Sequence, residues 1–279
     1  MAAQQLGLAT ESEVQRDKIL TATNDEFDGV IAEVNEPMDP KVFHSILKAS
    51  ISLWRQQGKK GVWIKLPIGL VNLVETAVKE GFWYHHAEPT YIMLVFWIPN
   101  SENNLPANAT HRVGIGAFVM NTKREVLVVQ EKGGRFRGSG LWKFPTGSVD
   151  EGEDICDAAV REVKEETGID TEFVEIIAFR QSHKVLFEKS DLFFVCILRP
   201  LSFDIQPQEL EIEAAMWMPL EEYEAQEFVQ SHEQMKRITE IYKAKVDGVY
   251  NGFSPVLTDS GFSDAKRNLY LNEKALKRQ

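Results

Sequence analysis

Arg161-Glu162-Val163-Lys164-Glu165-Glu166-Thr167-Gly168 is the stretch on which the reading of this 279-residue chain turns. At about 100° per residue, Glu162, Glu165 and Glu166 fall on one face of a helix, at i, i+3 and i+4. Cys156, Ala159, Val160 and Val163 form an adjacent apolar stripe that can pack on a sheet. The helix is predicted from about Asp154 to Thr167, with Gly168 closing it. Between Gly147 and Ile169 stand eight acidic residues against Arg161 and Lys164, so this segment holds −6 of the net charge of −11. Charges packed that tightly repel, and solvent or a cation has to compensate them. Most glutamate-rich helix faces are simply solvated; here the like-charged i, i+4 pair has little lysine relief. Three carboxylates pointing together are hard oxygen donors suited to Mg²⁺ or Mn²⁺, which keep waters and take phosphate oxygens as further ligands. Such ions clamp a pyrophosphate, neutralise its developing charge and acidify a water.

The flanks make the pattern specific. Glu153 lies six residues after Gly147, and Arg161-Glu162 begins eight residues later. An aliphatic residue, any residue, Glu165-Glu166, any residue, Gly168 and the aliphatic Ile169 then follow. A chance match to all of these is on the order of one in a million. The stretch resembles the Nudix hydrolase signature, complete and without substitution. The resemblance implies an enzyme that holds metal through Glu162, Glu165 and Glu166, with Gly147 as a further metal contact. It implies a supporting ion pair between Arg161 and Glu153. The catalytic base stays open between one of these glutamates and a glutamate on a later loop. Glu211 is a candidate there, against its reading as a solvated acid. A Nudix fold that senses nucleotide with little turnover is the competing class.

Outward from the motif, Met1–Glu26 is polar and mixed in charge, with no targeting character, and is expected to be disordered. Residues 27–99 read as an N-terminal α+β domain in the order β-α-β-α-β-β. Its strands are predicted at Phe27–Val34, Gly61–Leu66, Phe82–His86 and Tyr91–Ile98, and its helices after Asp39 and at Val71–Glu80. Residues 100–111 form a linker rich in turn formers. Residues 112–247 carry the remaining pattern. Strands are predicted at Val113–Asn121, Glu125–Gln130, Trp142–Pro145, Glu172–Gln181, Asp191–Leu198 and Glu213–Met218. Helices are predicted at Leu220–Tyr223 and Gln230–Ala244. Residues 248–279 lose periodicity and read as a tail. The fold class is α+β, and the resemblance makes the second domain a Nudix α/β/α sandwich. Cys156 and Cys196 sit in apolar patterns, which suggests buried thiols in a reducing compartment, and a cytoplasmic location is expected. No apolar run reaches membrane-span length, and the acidic balance argues against nucleic-acid binding.

The resemblance extends beyond the motif, through Gly58–Pro67, Gly81–Glu88, Leu105–His111 and Ala178–Lys184, to a plant group of Nudix hydrolases with an extra N-terminal domain. That group is similar to an animal Nudix protein named for a fibroblast growth factor antisense transcript. It implies hydrolysis of ADP-ribose to AMP and ribose 5-phosphate, and of NADH to AMP and reduced nicotinamide mononucleotide. A dinucleoside polyphosphate or CoA pyrophosphatase is the alternative enzyme. Candidate substrate contacts are Arg135, Arg137 and Lys143 for diphosphate oxygens. Phe144 and Phe179 are candidates for the base, although strand aromatics are more often core. Arg180 and His183 are the polar interruptions of Phe179–Phe187. His85-His86 read as ordinary strand histidines facing opposite ways. The N-terminal domain is expected to cover the nucleotide pocket or to pair two copies into a homodimer.

Overall fold

Asp39 caps the first long helix, α1 (Pro40–Gln56): its carboxylate accepts the Lys41 N–H at 2.8 Å, with proline at the first helical turn. The computed structural model describes residues 19–134, 136–259 and 266–276. The chain divides into two units between Ala109 and Thr110. In the first, α1 crosses from β2 (Val30–Glu33) to its parallel neighbour β3 (Gly61–Pro67). The sheet is completed by β1 (Ala22–Asn24), β4 (Trp83–Glu88) and β5 (Tyr91–Trp97), in the order β1-β2-β3-β5-β4. Phe43 and Leu47 of α1 pack against Val62, Ile64 and Leu66 of β3 in one core, all fully buried.

Four expectations for this unit need correction. Leu20 is buried and its N–H is accepted by Ser50 Oγ at 2.8 Å, and β1 pairs with β2. Residues 19–26 are therefore folded, and residues 1–18 lie outside the described residues. Strand β2 begins at Val30, because the Asp25 carboxylate accepts the Phe27 and Gly29 N–H groups in a turn just before it. The helix expected over Val71–Glu80 is a 3-10 turn at Ile68–Leu73 that kinks at Leu70, followed by α2 (Val74–Lys79). His85 and His86 do not face opposite ways. A register shift between Tyr84 and His86 brings the two Nδ1 atoms to 2.7 Å. Pro106 O can only accept, so His85 Nε2 donates to it at 2.8 Å.

In the second unit, β6 (His111–Val119) lies between β8 (Thr146–Ser148) and β10 (Lys189–Pro200), and β9 (Thr171–Leu186) flanks β10. β7 (Glu125–Glu131) pairs antiparallel with β11 (Ile212–Pro219). One face of the assembly packs Ile115, Ala117 and Cys196 against Ala159 and Val163 of α3 (Ile155–Thr167). The other face packs Phe118, Phe144 and Val195 against Ile238 and Tyr242 of a C-terminal helix over Glu233–Val246. Trp142–Pro145 is not a strand; Lys143 makes an isolated bridge to Val129, and pairing resumes only at Thr146. Among the described residues, no helix is long and apolar enough to cross a membrane.

Residues beyond Asp247 are not simply a tail. Phe253 exchanges backbone bonds with Ile176 at 2.8 and 2.9 Å, and β12 (Ser254–Asp259) pairs with β13 (Lys266–Leu271). Leu257 and Leu269 stay exposed, so the ribbon lacks the clean alternation that reveals a half-buried strand. The ribbon reaches the start of α3: the Cys156 N–H donates to Tyr270 Oη at 3.3 Å, and Asn268 Nδ2 donates to Asp154 Oδ2 at 2.9 Å.

At the other end of α3, Gly168 adopts the left-handed conformation (φ 73°) and its N–H donates to Lys164 O at 2.9 Å. A Cβ here would also stand 3.0 Å from Gln206 Cβ. Gly168→Ala is expected to destabilise the protein by about 1–2 kcal/mol in urea unfolding. An unchanged midpoint would contradict this geometry.

Candidate active site

Arg161, at the middle of α3, is the hub of the carboxylate cluster. Its Nε and Nη2 donate to the two Glu153 oxygens at 2.8 and 2.9 Å, a bidentate pair. Nη2 also donates to Ser148 O at 2.9 Å, which ties the helix to β8. Nη1 donates to Glu162 Oε1 at 2.9 Å and Glu165 Oε2 at 3.0 Å. The sequence anticipates the Glu153 pair; the i, i+4 spacing to Glu165 was the available signal for the third partner. Arg161 holds the Glu153 carboxyl below its ordinary range, against the opposing effect of burial. Burial pushes the Glu162 carboxyl upward, with Arg161 opposing it.

Gly147 makes this packing possible. A Cβ at that position would lie 1.8 Å from Glu162 Cδ, so the carboxylate fills the space a side chain would take. The glycine is required by close approach, not by a turn. Glu166 is different again: only 7% of it is exposed, and its Oε2 is buried without a hydrogen-bond partner. Burial pushes its carboxyl up to about 8; the Lys143 charge opposes the shift, while Glu162 and Glu131 add to it. Lys143 forms an ion pair with Glu131 and donates to Thr146 Oγ1 at 2.7 Å. Sequence reasoning missed Glu131, because it meets Lys143 only through the bridge between β7 and the segment before β8.

Glu166 and Glu131 line a cavity of about 380 Å³ with Lys132, Gly133, Gly134 and the loop residues Leu210, Glu211 and Ile212. Glu211 thus shares a cavity with Glu166. Among the described residues, no three His, Cys, Asp or Glu side chains already surround a common point. Glu162 and Glu165 converge on Arg161 Nη1 instead.

The expected substrate contacts separate. Phe144 is buried in the core, its ring tilted against Phe118 at 4.4 Å, so it offers no face to a base. The glycine at position 116 draws it in, since a Cβ there would meet the Phe144 ring at 2.4 Å. Phe179 is exposed and lies 5.7 Å from the Phe194 ring. Phe179, Phe194, Ile115 and Gly147 stand in register across four strands, on the α3 side of the sheet. Arg180 points to the opposite face, where it pairs with Asp191 at 3.3 Å and covers the Phe193 ring at 4.7 Å. His183 Nδ1 bonds Ser190 Oγ at 2.9 Å, Arg137 is exposed, and Arg135 lies outside the described residues.

The raised Glu166 carboxyl has a consequence for stability. A carboxyl that binds its proton more tightly in the folded state stabilises the fold at low pH. That contribution is lost as pH rises from about 4.5 to about 8. In EDTA, the urea midpoint is expected to fall across this window, and Glu166→Gln, which cannot ionise, to flatten the fall. Identical slopes for both proteins would remove Glu166 as the cause.

Two family models match the chain: a Nudix hydrolase domain over residues 20–98 and a NUDIX domain over residues 110–237. Nudix hydrolase 2 of Arabidopsis thaliana is 60% identical over 258 residues, covering 92% of this chain and 92% of that protein. Nudix hydrolase 10 of the same plant is 55% identical over 256 residues, covering 92% and 91%. The mouse protein called nucleoside diphosphate-linked moiety X motif 6 is 38% identical over 205 residues, 71% of this chain and 64% of that protein. Identity of this degree, spread over nine-tenths of the plant relatives, means that the chain belongs to the Nudix hydrolase family.

Proposed function

We propose that the chain hydrolyses the diphosphate bond of nucleoside diphosphate derivatives with Mg²⁺ or Mn²⁺, and that ADP-ribose and NADH are its substrates. The observation that carries the reaction is the buried, unpartnered Oε2 of Glu166, on the helix face whose neighbour Glu162 lies against Gly147. An orphaned carboxylate oxygen among other carboxylates fits a hard divalent cation, and the donor set contains oxygen alone. Glu162, Glu165 and Glu166 would hold the ion beside the Gly147 backbone. When bound, the ion supplies charge neutralisation at the diphosphate and acidifies a water.

The chain's own residues do the rest. Glu162 and Glu165 would hold the cation, and Arg161, tied to Glu153 and Ser148 O, keeps the helix that carries them in place. Lys143 favours the ionised form of Glu166, which burial disfavours. Glu211 has no ion pair among the described residues and accepts a proton from the attacking water. The water oxygen bonds to one phosphorus as the bridging P–O bond breaks. ADP-ribose then gives AMP and ribose 5-phosphate, and NADH gives AMP and reduced nicotinamide mononucleotide.

The substrate assignment rests on the resemblance to the plant group and on the row from Gly147 to Phe179. Three strand spacings separate them, about 14 Å. A ligand reaching both is extended, as a nucleoside diphosphate sugar is. Phe179 offers a face for the base and Arg137 an exposed cation for the diphosphate, while His183 stands four residues further along the same strand. Arg180 supports that strand from its other face.

A product-resolved panel with Mg²⁺ is the test, covering ADP-ribose, NADH, NAD, FAD, CoA and diadenosine polyphosphates. AMP release from ADP-ribose and NADH is expected to be fastest. Nucleotide binding without turnover would instead make the protein a sensor. Glu166→Gln is expected to slow AMP release by more than about 100-fold, and Arg161→Lys by about 10–100-fold, the range typical of groups that orient metal ligands. Unchanged turnover in Glu166→Gln would exclude the metal role given to that carboxylate.

A further inference from the structure

The loop that carries Glu211 has no strand partner of its own between Phe203 and Gln208. It is held by the end of α3. The carbonyls of the last helical turn lack partners within the helix. Two of them are taken up by this loop: Gln206 N–H donates to Thr167 O at 2.8 Å, and Gln208 N–H to Glu166 O at 3.1 Å. The Gln208 side chain then reaches forward, and its Oε1 accepts the Glu211 N–H at 2.8 Å. Its carbonyl accepts the Ile212 N–H at 3.0 Å, and Lys132 N–H donates to Glu211 O at 2.7 Å. One residue therefore bonds the main chain of Glu166 and the main chain of Glu211, the two carboxylates that share the cavity.

We infer that Gln208 is a positioning residue, which sets the Glu211 carboxylate against Glu166 through a backbone bond on one side and a side-chain bond on the other. This rests on the proposed role of Glu211 as proton acceptor. A loop glutamate held only at its carbonyl can rotate about that anchor, and its carboxylate then moves relative to the water it must reach. A displacement of about 1 Å costs up to about 100-fold in rate.

The experiment is a double-mutant cycle with ADP-ribose and Mg²⁺, following kcat, KM and the pH–rate profile. Glu211→Gln is expected to lower kcat by about 100-fold or more, the range of a lost general base. Gln208→Ala is expected to lower kcat by about 10-fold, within the cost of misplacement, with KM changed less than about twofold and the acidic limb of the profile displaced. Gln208→Glu keeps an oxygen that accepts the Glu211 N–H, and should restore most of the loss. In the Glu211→Gln background, Gln208→Ala should have no further effect, because the two act as one unit. Equal losses in both backgrounds, or wild-type kcat in Gln208→Ala, overturn the positioning role. Full activity in Glu211→Gln overturns the proton-acceptor reading itself, and is distinguished by that single variant.

Discussion

Eight acidic side chains crowd one helix and the loop before it, and a single guanidinium answers four of them. Arg161 bonds Glu153, Glu162 and Glu165 and lies 4.0 Å from Asp150. Without it, the repulsion among these groups would favour unwinding the helix or turning its face to solvent. With it, the helix can lie against β8, because the same guanidinium donates to Ser148 O. Arg161 therefore converts a self-repelling face into a folded one. Arg161 does not bond Glu166, which is buried; there Lys143, itself paired with Glu131, is the cation that opposes the effect of burial.

The sheet accommodates this helix by omitting side chains at chosen points. At Gly147 the missing Cβ admits the Glu162 carboxylate; at Gly116 the missing Cβ admits the rings of Phe144 and Phe193 from the other face. Each glycine trades conformational freedom for a close approach that no other residue permits. The two cores on either side of the sheet can then differ in kind. The α3 side is aliphatic and small, with Ala117, Ala158 and Ala159, which brings the acidic helix close. The far side is aromatic and deep, with Phe118 stacked 4.2 Å from Tyr242.

Local patterns carried most of the fold, and long-range contacts carried what was missed. The helix from Asp154 to Gly168, its carboxylate face and the Arg161–Glu153 pair were legible because spacing along a helix maps directly onto geometry. The cap at Asp39 was legible for the same reason. The burial of Phe144 depends on a hole at residue 116, which no window around residue 144 contains. The paired His85 and His86 depend on a bulge, which shifts a strand's period by one residue and cannot be inferred from the alternation it breaks. The Lys143–Glu131 pair and the bonds of Gln208 join segments that meet only after the sheets have formed.

The hairpin formed by β12 and β13 belongs to the same class, and it bears on how the molecule is made. Cys156 and Tyr270, which it joins, are 114 residues apart in the chain. Ribosomes extend a chain at about 5–20 residues per second, so roughly 6–23 seconds pass between the synthesis of the helix start and that of the strand that covers it. During that interval the first turn of the acidic helix stands without its outer cover, with Arg161 already able to gather Glu153 and Glu165 from its own neighbourhood. The local ion network can assemble early, and the distant ribbon fastens last, so the order of synthesis matches the order in which the helix can be stabilised.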